Sequence, residues 1–178
     1  MATRQYKALT ERGNHEVGNL NSWKIKTVAN GAIVDATPID NFLLVELDFN
    51  ADGERICRHL SSPTKKAYLI AAVERRYLGE ELVDFYNEVG DAVRIVVFEE
   101  GYTRFDTSAF TLNSGVTVIK NGQVAHFDID TKKYIISEAS TPHADYTTAR
   151  TKFIVVSDED NLEYTNGKAL VKLEVQEA

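Results

Sequence analysis

A single cysteine, Cys57, in a chain of 178 residues excludes any internal disulfide. There is also no Asn-x-Ser/Thr acceptor triplet, so nothing suggests secretion, and a reducing cytoplasm is the expected site of synthesis. No run approaches the ~20 apolar residues that a membrane-crossing helix needs. The opening residues lack the apolar stretch and cleavage pattern of a signal peptide. Three prolines mark loops rather than a linker, and no repeat or low-complexity segment divides the chain. Nucleotide and hydrolase signatures are missing as well. The chain has no Gly-x-Gly-x-x-Gly, no Walker-type glycine loop and no Gly-x-Ser-x-Gly, and it lacks the strand–helix–strand alternation that would carry them.

What is present fits one ordinary folded domain with a packed core: 43% hydrophobic and 26% charged residues. The net charge of −7 argues against a general nucleic-acid binder. It is spread unevenly. Residues 1–27 hold Arg4, Lys7, Arg12, Lys24 and Lys26 against Glu11 and Glu16, a balance of +3 that leaves −10 for the rest. A basic arm on an acidic body suits an acidic protein surface or a polyanion. The same 27 residues show no sustained hydrophobic period. Their scattered Tyr6, Val17, Leu20 and Trp23 cannot offset the entropy of ordering without a surface to pack on. An extended N-terminal arm (1–27) and a single β-rich domain (28–178) are therefore expected. Arg4, Tyr6, Lys7, Val17, Leu20 and Trp23 are the candidate partner-binding residues.

From Gly31 onward the chain reads as strand after strand. Leu43, Val45, Leu47 and Phe49 alternate with polar residues, as do Val93, Ile95 and Val97, and Ala169, Val171, Leu173 and Val175. A period of two means half-buried strands. Shorter runs at 32–34, 116–119, 124–127, 134–136 and 153–156 add to the count. Asn30-Gly31, Asp52-Gly53, Asn121-Gly122 and Asn166-Gly167 supply turns that tolerate positive φ. Asn121-Gly122 and the Asp130–Lys133 turn predict a three-stranded meander. One short helix is expected at Gly79–Glu88, where Leu82, Phe85, Tyr86 and Val89 share a face. Residues 67–73 are read as a strand. The fold class is all-β, or β-rich α+β: an antiparallel barrel or sandwich with one short helix.

Little chemistry is legible. Asp48-Phe49-Asn50-Ala51-Asp52-Gly53 matches the opening of a calcium loop, but His59 stands where the bidentate glutamate belongs, and a hairpin turn explains the same letters. Cys57 and His59 face the same side of a strand without an orienting third group, which favours a buried, inert thiol. Asp128/Asp130 and Asp158/Asp160 suit surface turns. His15, His126 and His143 share no ligand-like spacing. No catalytic, metal or cofactor residue is assigned, and the chain is expected not to be an enzyme.

The segment KKAYLIAAVERRYLGEELVDFYNEVGDAVRIVVFEEGYTRFDTSAF (residues 65–110) resembles the auxiliary or decoration head proteins of tailed bacteriophages of Gram-positive hosts. The likeness lies in Tyr77-Leu78-Gly79-Glu80, Asp84-Phe85-Tyr86-Asn87, Gly90, Arg94-Ile95, Phe105 and Thr107-Ser108-Ala109-Phe110. It extends through GQVAHFDIDTKKYIIS (122–137) and HADYTTARTKFIVV (143–156). The resemblance implies a non-catalytic virion protein on the outer surface of the capsid. It would bind the major capsid protein, with the arm as a candidate tether, and would form a homo-oligomer or cluster at capsid symmetry axes. A carbohydrate- or receptor-binding β domain is the alternative, with Tyr102, Tyr134 or Tyr146 lining a groove. An enzyme built on Asp128, Asp130 and His126 is the third reading.

Overall fold

The computed structural model describes residues 25–73, 85–165 and 168–178. Among the described residues, thirteen strands fall into two sheets. The first comprises β1 (Ala32–Val34), β2 (Leu44–Phe49), β3 (Arg55–His59), β4 (Tyr68–Ile70), β5 (Ala92–Val93) and β6 (Ile95–Val96), in the order β5-β1-β3-β2-β4-β6. β5 and β6 are one run of chain broken only at Arg94. Val93 pairs with Ala32 at one edge, while Ile95 pairs with Ile70 at the other. A single strand therefore serves both edges, and the sheet curls into a nearly closed barrel. Closure of this kind leaves few backbone donors and acceptors without partners. Arg94 contributes by donating from Nε to the Ala71 carbonyl at 2.8 Å.

The second sheet follows the same logic in a more open form. It contains β7 (Arg104–Thr107), β8 (Phe110–Leu112), β9 (Val124–Asp128), β10 (Lys133–Ser137), β11 (Lys152–Val155), β12 (Glu163–Thr165) and β13 (Lys168–Glu177). Its order is β12-β13-β11-β9-β10-β8, and β7 also pairs with β13. β7 and β8 are again one stretch, interrupted at Ser108-Ala109. They attach to β13 and β10 respectively.

One core runs through both sheets. Phe42 stacks on Phe105 with ring centroids 6.2 Å apart, and Tyr134 sits among Phe105, Phe127 and Phe153 at 5.6, 5.1 and 5.3 Å. The Tyr134 hydroxyl donates to the Phe42 carbonyl at 2.8 Å, fastening the second sheet to the first. Phe42 lies at φ +62, and the turn before it is held by Asn41. The Asn41 side-chain amide pairs with the Ala72 backbone like a strand partner. Its Nδ2 donates to Ala72 O at 3.0 Å, and its Oδ1 accepts from Ala72 N at 2.9 Å. Asn87 Nδ2 joins the same Oδ1 at 3.1 Å and Ile39 O at 2.9 Å, so these fully buried amides are well satisfied.

The barrel corrects several expectations. β1–β3 and β8–β10 are parallel, so the fold is not purely antiparallel. Residues 116–119 form a loop rather than the first strand of a meander, because the Ile119 amide donates to Glu159 and the Lys120 amide to the Gln123 side chain. The hairpin that does form is β9–β10. The alternation at 43–49 holds only in part: Leu43, Leu44 and Val45 are all buried, whereas Phe49 is exposed. Most of the predicted helix at Gly79–Glu88 lies outside the described residues. Its described end is not helical, since Asn87 makes an antiparallel bridge with Ile39. Among the described residues the only helical turns are 3-10, at Ala144–Thr147 and Glu159–Asn161. Asn166-Gly167 also lies outside them, bracketed by the Thr165–Lys168 pair of β12 and β13.

Candidate functional site

The six arm residues proposed for partner binding, Arg4, Tyr6, Lys7, Val17, Leu20 and Trp23, lie outside the described residues. Where the described chain begins, it is already part of the barrel. Thr27 bridges Val96, the Val28 amide donates to Ile95 O at 2.9 Å, and the Val97 amide donates to Lys26 O at 2.8 Å. Ile25 and Val28 pack against the core. The segment thus enters along β6.

In the segments singled out by spacing, Asn50, Asp128 and Asp158 hold turns. Asn50 Oδ1 accepts from the amides of Asp52 (3.0 Å) and Glu54 (2.9 Å), so the Asp48–Gly53 segment is a hairpin turn between β2 and β3. Asp128 caps the β9–β10 turn by accepting from the amides of Asp130 at 3.1 Å and Thr131 at 3.2 Å. Burial pushes its carboxyl pKa up, but the hydrogen bond from the Thr131 hydroxyl, together with those two amides and nearby His126, carries it below the usual carboxylate range. Asp158 accepts from the Asn121 amide at 2.9 Å.

Cys57 is fully buried in the barrel core, and His59 Nε2 sits 3.3 Å from the Pro38 carbonyl. Burial, with the charge of Asp35 adding to it, pushes the thiol up to about 12. A thiol of that kind is almost wholly protonated at neutral pH and is a poor nucleophile. Native protein at about pH 8 should therefore resist a disulfide-exchange reagent for as long as it stays folded, then react at once in denaturant. Fast labelling of the native state would contradict that burial.

The aromatic groove of the carbohydrate-binding reading is not assembled from the residues named for it. Tyr134 is fully buried, which removes it as a groove-lining residue. The Tyr146 hydroxyl donates to Gln176 Oε1 at 3.2 Å, beside the irregularity where β11 pairs with β13. Tyr102 lines a separate recess with Ile25, Lys26 and Glu99.

One grouping of reactive side chains stands apart. Along β9, Ala125 and Phe127 belong to the core, so His126 between them faces the other side of the sheet. Its register partners there are Ile135 on β10 and Lys152 on β11. The chain leaves β10 at Ser137, turns through Glu138–Thr141, and crosses this face as the 3-10 helix Ala144–Thr147 before entering β11. The crossing is pinned where the His143 amide donates to Ser137 Oγ at 3.1 Å, and Thr147 and Thr148 return hydrogen bonds to the carbonyls of Ala144 and Asp145.

This cover leaves His126 only 1% exposed. Its ring stacks on His143 at 5.2 Å and meets the Tyr146 ring edge-on at 6.3 Å. Neither ring nitrogen of His126 has a hydrogen-bond partner. Burial, reinforced by His143, pushes its pKa below the ordinary histidine value against the opposing pull of Asp145 and Asp128. His143 Nδ1 lies 3.5 Å from Asp145 Oδ2. One ligand atom from each of His126, His143 and Asp145 lies within 4.8 Å of the other two. Spacing alone did not reveal this trio, because sixteen residues, including a whole strand and a turn, separate the two histidines. A signal was nonetheless present: a histidine inside the apolar run Val124–Phe127 implies that the outer face of that strand is covered as well.

No solved structure matches the chain. The SPbeta prophage-derived uncharacterized protein YonC of Bacillus subtilis (strain 168) is 62% identical over 178 residues, spanning all of both chains. The YonC prophage protein family matches residues 11–176. Phage origin, the coarser part of what the resemblance implied, is thereby supported, and the protein belongs to the YonC prophage protein family.

Proposed function

We propose that this protein is a non-catalytic component of the phage particle, attached to the outside of the head by contacts with the major capsid protein. The reading is supported by a chain of prophage descent that uses its polar side chains to shape a doubly curled β body. Asn50, Asp128 and Asp158 hold turns, and Asn41 and Asn87 join strands inside the core. A body of that kind presents surface, and on a repeating capsid lattice many weak contacts add up to firm attachment. The basic segment up to Lys24 precedes the residues that pair with β6, so it is the natural tether, with Tyr6, Leu20 and Trp23 as its apolar anchors. Synthesis takes place in the host cytoplasm before assembly.

The decisive measurement is co-sedimentation of purified protein with phage heads that lack it. Full-length protein should pellet with the heads. A truncation removing Met1–Lys24 spares the strand pairing of Lys26 and Val28, and it should fold normally yet remain mostly in the supernatant. Full-length protein left in the supernatant, and absent from purified particles, would overturn the assignment. Undiminished pelleting of the truncated form would rule out the arm as tether.

A further inference from the structure

We infer that His126, His143 and Asp145 form a binding site for a divalent transition-metal ion of the zinc type, built where the 3-10 helix crosses β9. The inference is independent of the capsid reading, and nothing in the family description assigns it. Its starting point is His126: a ring buried to 1% exposure with neither nitrogen hydrogen-bonded. Leaving a buried polar group unpaired is destabilising, and folded proteins rarely do so without a ligand, an ion or a role. Here the unpaired nitrogens sit beside a second imidazole and a carboxylate, with the donor atoms within 4.8 Å of one another.

The donor chemistry selects the ion. Two imidazoles and one carboxylate suit zinc and its neighbours cobalt and nickel, whereas calcium and magnesium require oxygen ligands. Zinc bonds of about 2.0–2.2 Å in a tetrahedron place neighbouring donors roughly 3.4 Å apart. The 3.5 Å between His143 Nδ1 and Asp145 Oδ2 already meets that spacing. The His126 donor lies within 4.8 Å of both. The one hydrogen bond given up is long, from the Asp145 amide to His143 Nδ1 at 3.3 Å. The nearby ammonium of Lys152 is engaged by Glu177 at 2.7 Å and by the Tyr146 ring at 5.4 Å. With three protein donors, the fourth position of the tetrahedron falls to water on the side of the exposed Asp145.

The test uses the full chain, stripped with a chelator and titrated with zinc against a chromophoric competitor, and with cobalt for its visible spectrum. One equivalent of zinc should bind, the cobalt complex should show the intense visible bands of low coordination, and zinc should raise the melting temperature. His126→Phe should weaken zinc binding by at least ~100-fold, the upper end of what loss of a mere supporting residue costs. Should that buried change impair folding, His143→Gln and Asp145→Asn carry the test, since both alter residues outside the core. His59→Gln should leave binding unchanged. Absence of saturable binding, or binding that survives both His143→Gln and Asp145→Asn, overturns the site.

Discussion

Tyr134→Ala should lower the unfolding free energy by about 3–5 kcal/mol, the range found when a large aromatic side chain is removed from a packed interior. Tyr134 is fully buried and touches three phenylalanine rings of the second sheet, while its hydroxyl holds the Phe42 carbonyl of the first. In a domain of this size each kcal/mol moves the melting temperature by roughly 2–4 °C, so the shift is easily read by calorimetry. Tyr134→Phe separates packing from tethering. It keeps the ring but leaves a buried carbonyl without its donor, which should cost about 1–3 kcal/mol.

The same pair of proteins gives a pH signature. Burial drives the Tyr134 hydroxyl well above the ordinary tyrosine value, so the folded chain keeps this proton after the unfolded chain has lost it. The contribution is complete below about pH 10, where both states are protonated, and falls as pH rises beyond it. The wild-type advantage over Tyr134→Phe should therefore shrink in urea titrations above about pH 10. A difference that stays constant would mean that the hydroxyl reaches solvent.

The strands were legible where one face is core and the other is not. Val171, Leu173 and Val175 are buried as their alternation implies, and Tyr134 and Ile136 behave alike. What alternation cannot express is which partner a strand takes. Val93, Ile95 and Val97 read as one strand, but Arg94 divides it so that its halves serve opposite edges of a sheet. The parallel pairs β1–β3 and β8–β10 join strands that are not neighbours along the chain, and that leaves no local mark. Val116 and Ile119 are buried as apolar residues should be, but side chains from Glu159 and Gln123 claim the backbone that a strand would need. Asn41 was unremarkable as a letter, and it acts as a strand partner only because the Phe42 turn brings it to Ala72. The histidine trio was hidden for a related reason: hairpin and crossing segment, rather than sequence spacing, bring His143 over His126.

Gly31→Ala tests the closure of the first barrel directly. Gly31 follows Asn30 in the turn before β1, and both lie in the left-handed region, with φ +62 at each. Asparagine adopts that region more readily than alanine, for which it costs roughly 1–2 kcal/mol. The larger effect is steric. A Cβ on Gly31 would fall 2.0 Å from the Val93 carbonyl oxygen, a backbone atom that cannot swing aside as a side chain can. Val93 is the residue of β5 that pairs with Ala32, so relieving the clash means parting β5 from β1 where the barrel shuts. The combined penalty should be on the order of 3 kcal/mol or more, placing it with the largest single-residue effects. Gly53→Ala is the matched control. It has a comparable φ of +79 but open space around the added methyl, so it should show the conformational cost alone. Hydrogen exchange locates the damage: the amide of Val34, which donates to Asp91 O, and that of Gly90, which donates to Val34 O, should lose protection in Gly31→Ala. Equal destabilisation by the two substitutions would show that the β1–β5 seam has room to spare and that closure does not depend on a glycine there.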